Sequence, residues 1–184
     1  ILEPLASSSS VLDNNEKKLG SILIDIGGGT SDIIIHFNDS IMHIGAIPLG
    51  GENITKDIAF GLQTSLEQAE ILKCKYGIAK ESLANSDNKI KIIGTNGRDD
   101  KEISEKDLSN IIQPRLMEIF TLAKNEINKS EFKGEYTFGI ILTWKSSPCI
   151  ARIFRASSSD TLVTIVAKSN VHLSLAKSPG GNII

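Results

Sequence analysis

Residues 22–37, ILIDIGGGTSDIIIHF, set two isoleucine-rich runs on either side of a glycine triplet. β-Branched runs joined by a tight glycine turn predict a β-hairpin. SIMHIGAIP (40–48) predicts a third strand. From Glu52 the period lengthens, and Ile54, Ile58 and Leu62 fall on one helical face, with Gly61 helping to end it. Ser65 and Gln68 have capping-box spacing and open a second helix, which runs through EQAEILKCKY to Gly77, a fitting stop. Residues 80–103 are polar and broken by Asn and Gly, with short β-like pieces at 89–93 and 101–103. Ser104 opens the longest helical pattern, in which Leu108, Ile111, Ile112, Leu116, Ile119, Phe120, Ala123 and Ile127 fall at three- and four-residue steps. Pro114 predicts a kink there, because an interior proline costs a hydrogen bond and ~3 kcal/mol. YTFGIILT (136–143) predicts a last strand. There is no internal repeat.

At 184 residues the chain has room for one domain, or for one lobe of a larger protein. Twenty basic against 22 acidic side chains give no reason to expect nucleic acid or an acidic membrane as a general partner. No apolar run approaches the ~20 residues that span a bilayer, and there is no secretory leader. Cys74 and Cys149 are isolated, without C-x-x-C or a nearby His, which argues against a metal site and fits a reducing cytosol. The chain opens on Ile1 rather than a methionine and reads as a fragment. Its charge is uneven: residues 1–143 carry 15 basic and 21 acidic side chains, residues 144–184 five and one. The balance therefore reverses near Trp144.

The glycine turn is the candidate chemistry. Three successive positions without side chains let backbone amides point into one concavity, a nest suited to phosphate. Asp25 lies within an apolar strand, where a charge is costly unless compensated; a hydrated Mg²⁺ on the same phosphates would be such a compensator. A plain hairpin turn and a hydrogen-bonded strand Asp are the alternative.

The complete string Asp-x-Gly-Gly-Gly-Thr-x-Asp (25–32) resembles the second phosphate loop of the actin/Hsp70/sugar-kinase ATPases. Beyond it, IPLGGENITKDIAFGLQTSLEQAEILKCKYG (47–77), PLASSSSVLDNNEKKLG (4–20) and RDDKEISEKDLSNIIQ (98–113) resemble the bacterial FtsA family, in the expected order. The resemblance covers roughly Glu3 to Thr143. It implies an α/β, actin/Hsp70-like (RNase H-like) ATPase lobe with a mixed sheet, flanking helices and a small inserted α+β subdomain. In that scheme residues 1–20 end an inter-lobe helix and connector, and 21–77 form the core with the phosphate loop. Residues 78–110 form the insert, 111–143 the return helix and core strand, and 144–184 an atypical tail.

The resemblance assigns Gly27, Gly28, Gly29 and Thr30 to the β- and γ-phosphates of ATP, and Asp25 to Mg²⁺ through water. Gly50, Gly51, Glu52 and Asn53 open a helix whose N-terminus attracts anions; a glycine-rich strand-to-helix turn without a ligand is the alternative. Glu70 and Lys73, on one helix face, take the ribose and adenine side; without the family context they form a solvated ion pair. No residue stands out as a general base, and Asp25 and Asp32 are better explained by Mg²⁺ and loop geometry. At most weak ATPase activity follows, with the fragment alone inactive. The parent protein is expected to link FtsZ filaments to the cytoplasmic membrane at the division septum. The FtsZ C-terminal tail would dock on the insert, the full-length protein would self-associate into filaments, and a C-terminal helix absent here would hold it to the inner face of the membrane. A kinase or chaperone ATPase of the same superfold, or a remnant that binds nothing, is the alternative. After Thr143 the likeness fades: Trp144 replaces the glycine triplet expected to support adenine. A frame error near Trp144 or true divergence accounts for that text, and KSNVHLS (168–174) returns weakly to it.

Overall fold

The computed structural model describes residues 3–94, 99–130, 132, 134, 136–144 and 153, and the backbone of 172–175. Helices α1 (Glu3–Val11) and α2 (Asn14–Leu19) lead into strands β1 (Ser21–Ile26), β2 (Ser31–Phe37) and β3 (Ser40–Ile47). Helices α3 (Gly51–Leu62) and α4 (Leu66–Tyr76) follow, then a 3-10 turn at Glu81–Leu83 and strands β4 (Lys89–Ile92) and β5 (Lys101–Ser104). Helix α5 (Glu105–Lys129), β6 (Ile140–Thr143) and β7 (His172–Leu175) complete the described elements. The main sheet has the order β3-β2-β1-β6-β7, while β4 and β5 pair by themselves. β1 is antiparallel to β2 and parallel to β6, so the sheet is mixed.

β1 is the central strand and is buried along its whole length, which is why it is almost uninterruptedly apolar. Alternation sends Ile22, Ile24 and Ile26, with Ile33 and Ile35, into the large core beneath α3, α4 and α5. Leu23, Ile34 and Ile141 face the other way and meet Val11 and Leu12 at the end of α1. Trp144, expected as an intruder, is 3% exposed and part of the large core. The last predicted strand starts later than its sequence pattern. Gly139 takes a positive φ of 65°, and Tyr136 stacks on Phe132 at 5.4 Å instead of joining the sheet. The tail beyond Trp144, with Cys149, otherwise lies outside the described residues apart from 153 and the β7 backbone, which pairs antiparallel with β6.

Helix ends follow their local chemistry. Ser104 accepts a hydrogen bond from the Asp107 amide at 3.1 Å and returns its own amide to Asp107 Oδ2 at 2.8 Å, a complete capping box. The Ser104 amide and then its hydroxyl, both donating to the Asp107 carboxyl, hold that group below its ordinary range. α5 runs on through Pro114 for 25 residues and ties to α3 by a two-pronged ion pair between Arg115 and Asp57, at 2.6 and 2.9 Å. At Ser65 the hydroxyl accepts from the Gln68 amide at 3.1 Å, the forward half of the expected box. The β2–β3 connection uses Asn38 and Asp39 with φ of 50° and 59°, the type I′ geometry that suits two-residue hairpins.

His36 lies on the sheet face covered by α2, directly across from Ser21. It is 5% exposed, and neither ring nitrogen nor the Ser21 hydroxyl has a hydrogen-bond partner. Burial, then the nearby Lys17 charge, lowers its pKa from the ordinary 6.5. The unfolded chain therefore binds the proton more readily than the folded one, and stability rises with pH across that interval. The contribution is intact above 6.5 and is eroded as pH falls from there toward the lowered folded-state value. Urea midpoints measured at neutral pH and at mildly acid pH should separate further in the wild type than in His36→Phe. Equal separations would remove His36 as the source.

Candidate functional site

β1 stops at Ile26, the last residue in register with β2 through Ser31, and residues 27–30 cross between them. The Gly27 amide donates to the Thr30 carbonyl at 2.8 Å and closes the turn. The start of α3 then clamps it: Gly51 N–H donates to the Gly27 carbonyl at 2.9 Å and Glu52 N–H to the Gly28 carbonyl at 2.8 Å. Ser31 Oγ donates to the Leu49 carbonyl at 2.7 Å, holding the approach to α3 beside the turn.

In a planar trans peptide the C=O and the following N–H point in opposite directions. With the Gly27 and Gly28 carbonyls turned toward α3, the Gly28 and Gly29 amides point away from it. Among the described residues no hydrogen-bond partner takes the Gly28, Gly29 or Thr30 amide, and Gly29 and Thr30 are exposed. A Cβ on Gly29 would meet nothing within 4 Å. The turn thus offers unspent donors beside open space, an arrangement that accepts anionic oxygens.

Gly50 is glycine for a different reason. A Cβ there would lie 2.4 Å from the Gly28 carbonyl oxygen and 2.5 Å from that of Gly27, so only a bare α-carbon lets α3 approach so closely. Asn53 Oδ1 accepts from the Gly50 amide at 2.9 Å, and the Asn53 amide donates to the Gly50 carbonyl at 3.1 Å. The amides of Gly50, Gly51, Glu52 and Asn53 all have protein partners, so this helix start anchors the turn.

Asp25 is 5% exposed on the α1 side of the sheet. Its Oδ2 accepts from Ser7 Oγ at 2.6 Å, and its cross-strand neighbour is Asp32. Lys73 is 2% exposed; its Nζ donates to the Gly51 carbonyl at 3.1 Å, to Thr55 Oγ1 at 2.8 Å and to Glu70 Oε2 at 2.7 Å. Thr55 Oγ1 in turn donates to Glu70 Oε2 at 2.5 Å, and the Glu70 side chain keeps 41% of its surface in solvent. One hydrogen-bonded path thus runs from the turn through Gly51 and Lys73 to Glu70. The nominated residues of the turn, α3 and α4 converge along it, whereas Asp25 approaches the same strand end from the other face. Thr55 and Ser7 escaped notice in the sequence. Thr55 flanks the apolar stripe Ile54–Ile58 at the position that a buried lysine needs, and Ser7 is one of four consecutive serines with nothing local to single it out.

A small cleft lined by Leu62, Gln63, Ile92, Ile93 and Lys101 lies at the opposite end of α3, against the β4–β5 pair. It is remote from the turn. Among the described residues no group of three or more His, Cys, Asp or Glu side chains could hold a metal ion, and no helix is long and apolar enough to cross a membrane.

The chain resembles known proteins at two levels. MreB5 of Spiroplasma citri, solved bound to AMPPNP, superposes with a TM-score of 0.58 at 22% identity, over 67% of this chain and 40% of that one. The shared architecture is the actin-like ATPase fold. By sequence, the cell division protein FtsA of Pseudomonas aeruginosa is 41% identical over 147 residues, 80% of this chain and 35% of its own length. FtsA of Escherichia coli is 32% identical over 184 residues, 93% of this chain and 43% of its own length. The chain therefore spans well under half of either relative. The profile of cell division protein FtsA matches residues 22–180, so the likeness continues past Thr143, where the sequence alone suggested that it fades. With the Gly-turn string, the strand order and a match of this extent in agreement, the chain belongs to the FtsA family of cell division proteins.

Proposed function

We propose that this chain supplies the second lobe of an ATP-binding, actin-like division protein, and that the turn at 27–30 receives the β- and γ-phosphates. The observation that carries the reading is the set of outward amides at Gly28, Gly29 and Thr30, held by the α3 clamp beside open space. Gly27 closes the turn, while Gly50, Gly51 and Asn53 fix its pose. Glu70, half in solvent at the far end of the path, faces the ribose side. Lys73 keeps α4 in place against α3 and shares that carboxylate. Asp25 would reach Mg²⁺ through water, with Ser7 steadying its carboxylate. Mg²⁺, when bound, spreads the negative charge of the phosphates.

The whole protein would act at the septum. Residues 78–110, which contain the β4–β5 pair, would receive the C-terminal tail of FtsZ. The boundary at 110 falls inside α5, so that insert shares a helix with the core. Self-association into filaments and attachment to the inner face of the cytoplasmic membrane, through a C-terminal helix of the whole protein, complete the reading. ATP closes the lobes and favours assembly, with weak hydrolysis.

Calorimetry tests it. The full-length gene product should bind Mg-ATP with a Kd of micromolar order, and the 184-residue chain alone should bind at least about 100-fold more weakly, because it carries one side of the pocket. No binding by the folded full-length product overturns the reading, and micromolar binding by the chain alone overturns the two-sided pocket.

A further inference from the structure

Glu52 places a carboxylate against the turn itself. Its amide anchors the Gly28 carbonyl, and its side chain bends back so that Oε1 lies 2.9 Å from where a Gly28 Cβ would stand, with Cδ at 3.5 Å. The residue is exposed, and no hydrogen bond or ion pair with another described residue holds the carboxylate elsewhere. It meets the turn from the α3 side, whereas Asp25, bonded to Ser7 of α1, meets it from the opposite face. An anionic group beside amides that await an anion is a conflict unless a cation comes with the ligand.

We propose that Glu52 makes this turn selective for metal-bound over metal-free nucleoside triphosphate. The inference rests on the nucleotide reading of the turn. A metal-free triphosphate on the turn brings like charge near the Glu52 carboxylate, and the sheet edge and helix end on either side leave water only part of the screening. With a divalent cation on the phosphate oxygens, the same carboxylate faces positive charge, which it holds directly or through water. Glu52 thus penalises one form and favours the other, and its effect is read as a ratio of two affinities.

The experiment measures ATP affinity of the full-length gene product by calorimetry in excess MgCl₂ and in excess EDTA. Wild type should favour the Mg²⁺ form by about 100-fold, and Glu52→Gln should cut that ratio by about tenfold or more, chiefly by tightening metal-free binding. Glu52→Asp should keep most of the preference. Glu67→Gln, which removes an exposed carboxylate in the first turn of α4, should leave the ratio unchanged. A general loss of folding or of site shape would weaken both forms together and would not move the ratio. An unchanged ratio in Glu52→Gln, or an equal drop in Glu67→Gln, overturns the selectivity while the nucleotide reading stands. Absence of binding of either form by folded wild type overturns both.

Discussion

On the proposed reading, Gly28→Val in the full-length protein should weaken Mg-ATP binding by about 100-fold or more and leave the fold standing. The two effects separate because of what surrounds the position. Gly28 has no positive φ to lose, and its added Cβ would meet only the end of the Glu52 side chain, at 2.9 Å. That side chain is exposed and can swing aside, so the stability change should stay within about 1 kcal/mol. The valine methyl groups, however, would stand beside the Gly28 and Gly29 amides and keep phosphate oxygens beyond hydrogen-bond reach. Calorimetry and thermal melting of the full-length protein check both halves. Retained affinity removes the turn from the site, and a large drop in Tm shows that Gly28 serves folding instead.

Gly50→Val should do the reverse and damage stability first. Its Cβ would collide with two backbone oxygens at 2.4 and 2.5 Å, and neither belongs to a side chain that can move. Relief requires the first turn of α3 to withdraw, which breaks the Gly51–Gly27 and Glu52–Gly28 hydrogen bonds. Two such bonds at about 1 kcal/mol each, with added strain of about 1–3 kcal/mol from overpacking, predict a loss of about 3–5 kcal/mol in urea unfolding. ATP binding should fall as well, because the amides lose their fixed direction. Gly50→Ala should have the same sign and a smaller size. Wild-type stability in Gly50→Val would dismiss the clamp.

Much of this was legible where the determinants are local. The isoleucine runs, the Ser65–Gln68 spacing and the Ile54–Ile58–Leu62 stripe specify their elements by neighbours a few residues away. The parallel pairing of β1 with β6 is not local, and no periodicity reports it. Tyr136 and Phe138 look like strand residues because they are aromatic and alternate. Tyr136 instead packs on Phe132, and Gly139 redirects the chain before β6 begins. At the site, the sequence located the turn and the Glu-x-x-Lys spacing. It gave no hint that Lys73 is sealed between α3 and α4, since that burial depends on Thr55 and the Gly51 carbonyl arriving from another helix. Gly50 shows the same limit: a glycine before a helix reads as an opening for anions, whereas here its missing side chain serves a backbone-to-backbone contact.

The clamp on the Gly27 and Gly28 carbonyls has a kinetic corollary. Donors aimed by bonds that already exist in the folded chain need no rearrangement when an anion arrives. Association of an anion at this turn should accordingly proceed in one concentration-dependent phase, without a slower local rearrangement.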